Sequence, residues 1–78
     1  MQTGLDKRQQ KKGRYRHYKG AEYLVLGTAF HSETEELLVL YRPDYGEGDL
    51  WVRPFDMFNE TIEVDGQPCQ RFEYVAES

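Results

Sequence analysis

Apolar and polar positions alternate along this chain in short runs that stop at glycines and prolines. In RYRHY, residues 14 to 18, Tyr15 and His17 fall on one side of an extended strand and Arg14, Arg16 and Tyr18 on the other, before a turn at Lys19-Gly20-Ala21. The run EYLVLGTAFH, residues 22 to 31, is β-branched and aromatic, and its start is apolar on both faces. Gly27 sits where a small barrel bends or bulges. Its expected partner, ELLVLYR at 36 to 42, is again apolar on both faces, and a run this short stopped by Pro43 suits a strand better than a helix. Ser32 to Glu35 then become a hairpin tip, because Ser and Thr hydroxyls bond neighbouring backbone. PDYGEGDL, residues 43 to 50, is a longer, mobile loop at the other end of the same strand.

LWVRPFDMFNE reads as a short strand, Leu50 to Arg53, entering one helical turn with Pro54 at its first position, where the fixed φ of proline fits. Phe55 and Phe58 lie on one side of that turn and are expected to plug the open end of a barrel. The closing TIEVDGQPCQRFEYV is two alternating runs around Asp65-Gly66, a pair that favours a two-residue hairpin. Pro68 lacks an N–H and confines its strand to an edge or a bulge. The expectation is an all-β fold: a small SH3-like, partly open barrel of five to six antiparallel strands with one short helical turn, over residues 14 to 78. Residues 1 to 13 hold only Met1 and Leu5 as apolar side chains and are expected to form a basic, flexible N-terminal arm.

Size and charge narrow the function. A chain of 78 residues makes one domain and buries about 60% of the surface its unfolded form exposes, so a groove or contact patch is expected rather than a deep cavity. Residues 1 to 20 hold seven Lys or Arg against Asp6 alone, whereas residues 21 to 78 hold three, Arg42, Arg53 and Arg71, against thirteen acids. Nucleic acid would be met by the cations of residues 7 to 19. The acidic body repels the same polymer, and the arm is expected to be solvated or to fold back on it. Cys69 is the lone cysteine, which excludes an internal disulfide and places the chain in a reducing compartment, the cytoplasm. With two separated histidines beside it, zinc spacing is absent, and neither metal nor cofactor is expected. No apolar run approaches the ~18 residues of a membrane span, and the start lacks the apolar core of a signal peptide.

Taken in order, RYRHYKGAEYLVLGTAFHSETEELLVLYRP, LWVRPFDMF and VDGQPCQRFEYV resemble the bacterial family catalogued as domain of unknown function 1653. That family is similar to a series H-Y-K-G-x-x-Y, H-S-E-T-x-E, Y-R and W-V-R-P-x-x-M-F. The resemblance covers about residues 14 to 75 and leaves the basic arm outside it. It implies a bacterial, cytoplasmic β domain without an assigned activity.

Two places qualify as a site. The first is the tip His31-Ser32-Glu33-Thr34. A nucleophilic serine needs a base within reach and a third group to orient that base. Neighbours on a strand point to opposite faces, and no glycine-rich oxyanion loop accompanies them, so no catalytic residues are expected. Ligand contact and a turn that bonds its own backbone both stay open. The second is the aromatic set, 14% of the chain, too much for so small a core. Tyr18, Tyr41 and Trp51 are expected as an exposed row and the phenylalanines as interior. Arg42 and Arg53 flank the row, to bind an acidic group or to pair with acids across strands. Asp44, Glu47 and Asp49 share a loop but lack calcium-loop spacing. The expected function is a binding or adaptor module, a monomer or weak dimer, that contacts a protein segment or a small polar ligand through surface aromatics. Nucleic-acid association through the arm is the alternative.

Overall fold

Pairing between neighbours in sequence builds most of the sheet. The computed structural model describes residues 8–44 and 48–77. Residues 1 to 7 of the arm, Tyr45 to Glu47 of the acidic loop, and Ser78 lie outside the described residues. The elements run β1 (Gly13–His17), β2 (Glu22–Phe30), β3 (Leu37–Pro43), β4 (Trp51–Pro54), α1 (Phe55–Phe58), β5 (Thr61–Val64), β6 (Gln67–Gln70) and β7 (Phe72–Ala76). Five strands form one antiparallel sheet in the order β4-β3-β2-β1-β7, and β5 with β6 forms a two-stranded ribbon. The two edges, β4 and β7, are not bonded to each other, so the barrel stays open along one seam. The fold is all-β, partly open and SH3-like, with one helical turn.

Six strands become seven because the last run breaks at Arg71. Its N–H donates to the Glu60 carbonyl and its own carbonyl accepts from the Tyr18 N–H, each at 3.0 Å. The chain thus leaves the ribbon and enters the main sheet at that residue. The hairpin before it turns on Asp65 (φ 51°) and Gly66 (φ 77°), the left-handed pair that a two-residue turn requires. Pro68 sits in β6, which bonds only to β5, an edge where its missing N–H costs nothing.

One face of the coiled sheet is the core. Tyr15, Val25, Val39, Tyr41, Phe58 and Phe72 are buried together, with Tyr23, Phe55 and Tyr74 packed around them. Phe58 from α1 lies flat on Phe72 from β7, centroids 4.2 Å apart and planes 6° from parallel. Tyr15 and Tyr41 meet Phe58 edge-on at 5.4 and 5.5 Å. Each such pair adds roughly 0.5–1.5 kcal/mol beyond area burial. The helical turn is therefore a plug, as its Phe spacing implies, although Pro54 (ψ 139°) is the residue before the turn rather than its first residue. Phe30 departs from the interior assignment, being 41% exposed at the far end of β2.

Two register shifts bend the sheet. Between Val25 and Gly27 one residue of β2, Leu26, has no opposite in β3, and Val75 plays the same part in β7 against β1. Gly13, where β1 begins, has φ 140°, and a Cβ there would stand 2.7 Å from the Ala76 carbonyl oxygen. Only glycine allows the strands to approach so closely.

Residues 8 to 12 belong to no strand, yet they are not loose. The Gln10 N–H donates to Thr28 Oγ1 at 2.8 Å, Gln10 Nε2 to the Tyr15 hydroxyl at 2.9 Å, and Asn59 Nδ2 to Gln10 Oε1 at 2.7 Å. The Tyr15 hydroxyl in turn donates to the Lys11 carbonyl at 2.7 Å. Arg8 lies 4.4 Å over the Phe55 ring and bonds Asp56. The expected flexible arm is thus, from residue 8 on, folded back on the body.

Candidate ligand-binding mouth

The register divides the chemistry between two ends of the sheet. At one end lie the close of β1 (His17), the start of β2 (Tyr23), the close of β3 (Tyr41), the start of β4 (Trp51) and the start of β7 (Phe72). At the other end lie the turn between β2 and β3, with His31 to Glu36, and α1. Trp51 stands opposite Tyr41, whereas Phe30 stands opposite Leu37 beside the tip. The two rows are four residues apart on β3, about 13 Å. The tip and Trp51 therefore do not form one site.

The tip is a turn that satisfies itself. His31 Nδ1 accepts the N–H groups of Glu33 at 3.1 Å and Thr34 at 3.2 Å, and Thr34 Oγ1 accepts the Glu36 N–H at 3.2 Å. The His31 carbonyl takes the Glu35 N–H, and its own N–H donates to the Glu36 carbonyl, both at 2.8 Å. Glu35 holds φ 62° to make this possible. The His31 nitrogen that would act as a base is spent on the backbone. A shallow depression of about 320 Å³ next to the tip is lined by Glu35, Glu36, Pro54, Phe55 and Met57, and its cation, Arg8, is ion-paired with Asp56.

The other end is differently provided. Trp51 is 56% exposed and Tyr18 38%. Tyr41, expected in the same row, is instead buried: it shares the inward face of β3 with Leu37 and Val39 and presses on Phe58 and Phe72. Its hydroxyl accepts from Arg53 Nε at 3.4 Å. Arg53 is inward too, opposite Val39 on β4, and its guanidinium carbon lies 5.6 Å from the Phe72 ring across the open seam. Arg42 stands opposite Leu24 on the outward face and donates to the Pro43 carbonyl at 3.1 Å, so it does not flank the mouth. The cross-strand ion pairing expected of both arginines is absent among the described residues. The ion pairs belong instead to Arg8 with Asp56, Arg14 with Asp44 and Glu22, Arg16 with Glu22, and Arg71 with Glu60.

His17 completes this end, and the candidate set read from the sequence missed it. Its ring lies 4.6 Å from Tyr18, 4.9 Å from Phe72 and 6.5 Å from Tyr23, and its Nδ1 accepts the Lys19 N–H at 3.2 Å. Burial, then the charges of Arg71, Arg53 and Lys19, hold its pKa below the ordinary 6.5. Burial and the nearby cations both disfavour the charged ring. The signal was present in the alternation: His17 follows Tyr15 by two positions and must share its inward face. A depression of about 420 Å³ opens on the other flank of Tyr18, toward Pro68 and Cys69. Among the described residues no group of three or more His, Cys, Asp or Glu side chains is arranged to hold a metal ion, and no helix is long and apolar enough to cross a membrane.

An open, aromatic-cored barrel with a self-bonded His-Ser-Glu-Thr tip defines the class as a small SH3-like β domain. The chain belongs to the family described as protein of unknown function, DUF1653, whose pattern matches residues 13–74. The crystal structure of a DUF1653 protein from Bordetella bronchiseptica is similar to it with a TM-score of 0.79 and 38% identity, over 87% of this chain and 90% of that one. No curated protein matches the chain.

Proposed function

We propose that the chain is a cytoplasmic binding module that holds a protein segment or a small polar ligand at the mouth formed by Trp51, Arg53, His17 and Tyr18. The observation that carries this reading is Trp51, whose indole stands open to solvent on β4 beside an inward arginine. A large ring with a polar edge, held at little entropic cost, is the common anchor of a binding surface. The nucleic-acid alternative draws less support. Arg8, Arg14 and Arg16 are each matched with an acid of the body, so that phosphates would have to displace an intramolecular partner.

Amide and indole chemical-shift mapping against a library of short peptides, small amides and small acids tests the proposal. The Trp51 indole N–H and the Arg53 and Tyr18 signals are expected to move together, while those of residues 31 to 36 stay still. Shifts confined to the tip, or none under any ligand, would overturn it.

A further inference from the structure

We infer that the mouth is specific for an anion, the paired oxygens of a carboxylate or phosphate carried on a flat apolar body, with Arg53 as the residue that grips the charge and Trp51 the one that covers the body. This deepens the binding-module reading and rests on it.

Three observations carry the inference. First, the chain is acidic overall, with a formal charge of −4, and acids reach four of its arginines, yet none reaches Arg53 among the described residues. An unpaired, half-buried guanidinium is an unused recognition group. Second, the fork is held. Nε is taken by the Tyr41 hydroxyl and the plane is propped by Phe72, which leaves the two terminal nitrogens without a partner among the described residues. Two such nitrogens match the two oxygens of a carboxylate or the edge of a phosphate.

Third, other cations stand close to the same end of the sheet. Lys19, and Arg71 with its partner Glu60, lie with Arg53 around His17. Trp51 and Arg53 are two positions apart on one face of β4, about 7 Å along the strand. One ligand can therefore touch both side chains.

The test uses four probes on the intact protein: benzoate, its neutral isostere benzamide, phenyl phosphate, and inorganic phosphate. Affinity is read from the Arg53 Nε–H and Trp51 indole signals during titration. Benzoate is expected to bind about tenfold or more tightly than benzamide, the value of one charge-assisted hydrogen bond. Arg53→Gln should erase that ratio while its amide spectrum stays that of the folded domain, and Arg53→Lys should keep part of it.

The order of phenyl phosphate and benzoate then identifies the anion, and weak binding of inorganic phosphate shows the contribution of the flat body. Equal binding of benzoate and benzamide at Trp51 overturns the anion inference and leaves the binding module standing. Silence at Trp51 and Arg53 toward all four probes and the peptide library overturns both.

Discussion

Two histidines, His17 and His31, each close a turn by accepting backbone N–H groups on Nδ1, and they show how one device serves two different ends of the sheet. At His31 the ring is exposed, its neighbours are Ser, Glu and Thr, and two backbone N–H groups share its Nδ1. At His17 the ring is wedged among Tyr18, Tyr23 and Phe72 within reach of three cations. At the tip, His31 Nδ1 and Thr34 Oγ1 are both spent on the backbone. The mouth has an exposed indole and a cation that bonds Tyr41 but meets no acid among the described residues.

The comparison can be broken most severely at the hub both ends share. Phe58→Ala removes the ring stacked on Phe72 and should cost about 3–5 kcal/mol, out of the roughly 5–15 kcal/mol available to a small domain. Urea unfolding followed by Trp51 fluorescence and by circular dichroism should show both ends collapsing in one transition. Separate transitions would show that the ends are not coupled through the core.

A gentler change separates them. His31→Ala should cost about 1 kcal/mol by orphaning the Glu33 and Thr34 amides, and His31→Asn should recover most of it with a carbonyl in place of the ring nitrogen. Neither variant should alter signals at Trp51. An unchanged urea midpoint for His31→Ala would remove the tip's claim to be structural.

The smallest effect is in pH. The folded pKa of His17 lies below the unfolded 6.5, so in the window beneath 6.5 the unfolded chain binds more protons than the folded one. The stability contributed by the neutral ring is complete above that value and is lost as pH falls through the folded pKa. A series of urea midpoints taken downward from neutrality should fall faster for the parent than for His17→Gln. Parallel lines would mean that neither burial nor the cations around His17 disfavour its charged form.

The hairpins could be read from residues alone because turn chemistry is local. Asp65-Gly66 supplies two left-handed residues, Pro43 and Pro54 stop strands, and Phe55 with Phe58 marks the helical turn. Tyr41 shows where such reading stops. Leu37-Leu38-Val39-Leu40-Tyr41 is apolar on both faces, so its alternation does not say which set points inward. That phase is decided by Phe58 and Phe72, which arrive from much later in the chain. The same long-range pairing puts Arg53 inward and Arg42 outward. His17 is the opposite case: its two-residue spacing from Tyr15 alone places it on the inward face.

Leu26, the unmatched residue of β2, has a reach beyond its own kink. Before it, Tyr23 and Val25 point into the barrel; after it, Thr28 and Phe30 take that side, opposite Val39 and Leu37. The Thr28 hydroxyl is thereby delivered to the side on which Gln10 crosses. Had the strand kept its count, Gly27 and Ala29 would stand there, with no oxygen to offer. A single supernumerary residue turns half a strand over like a page, and so chooses the surface on which the incoming N-terminal segment is clasped.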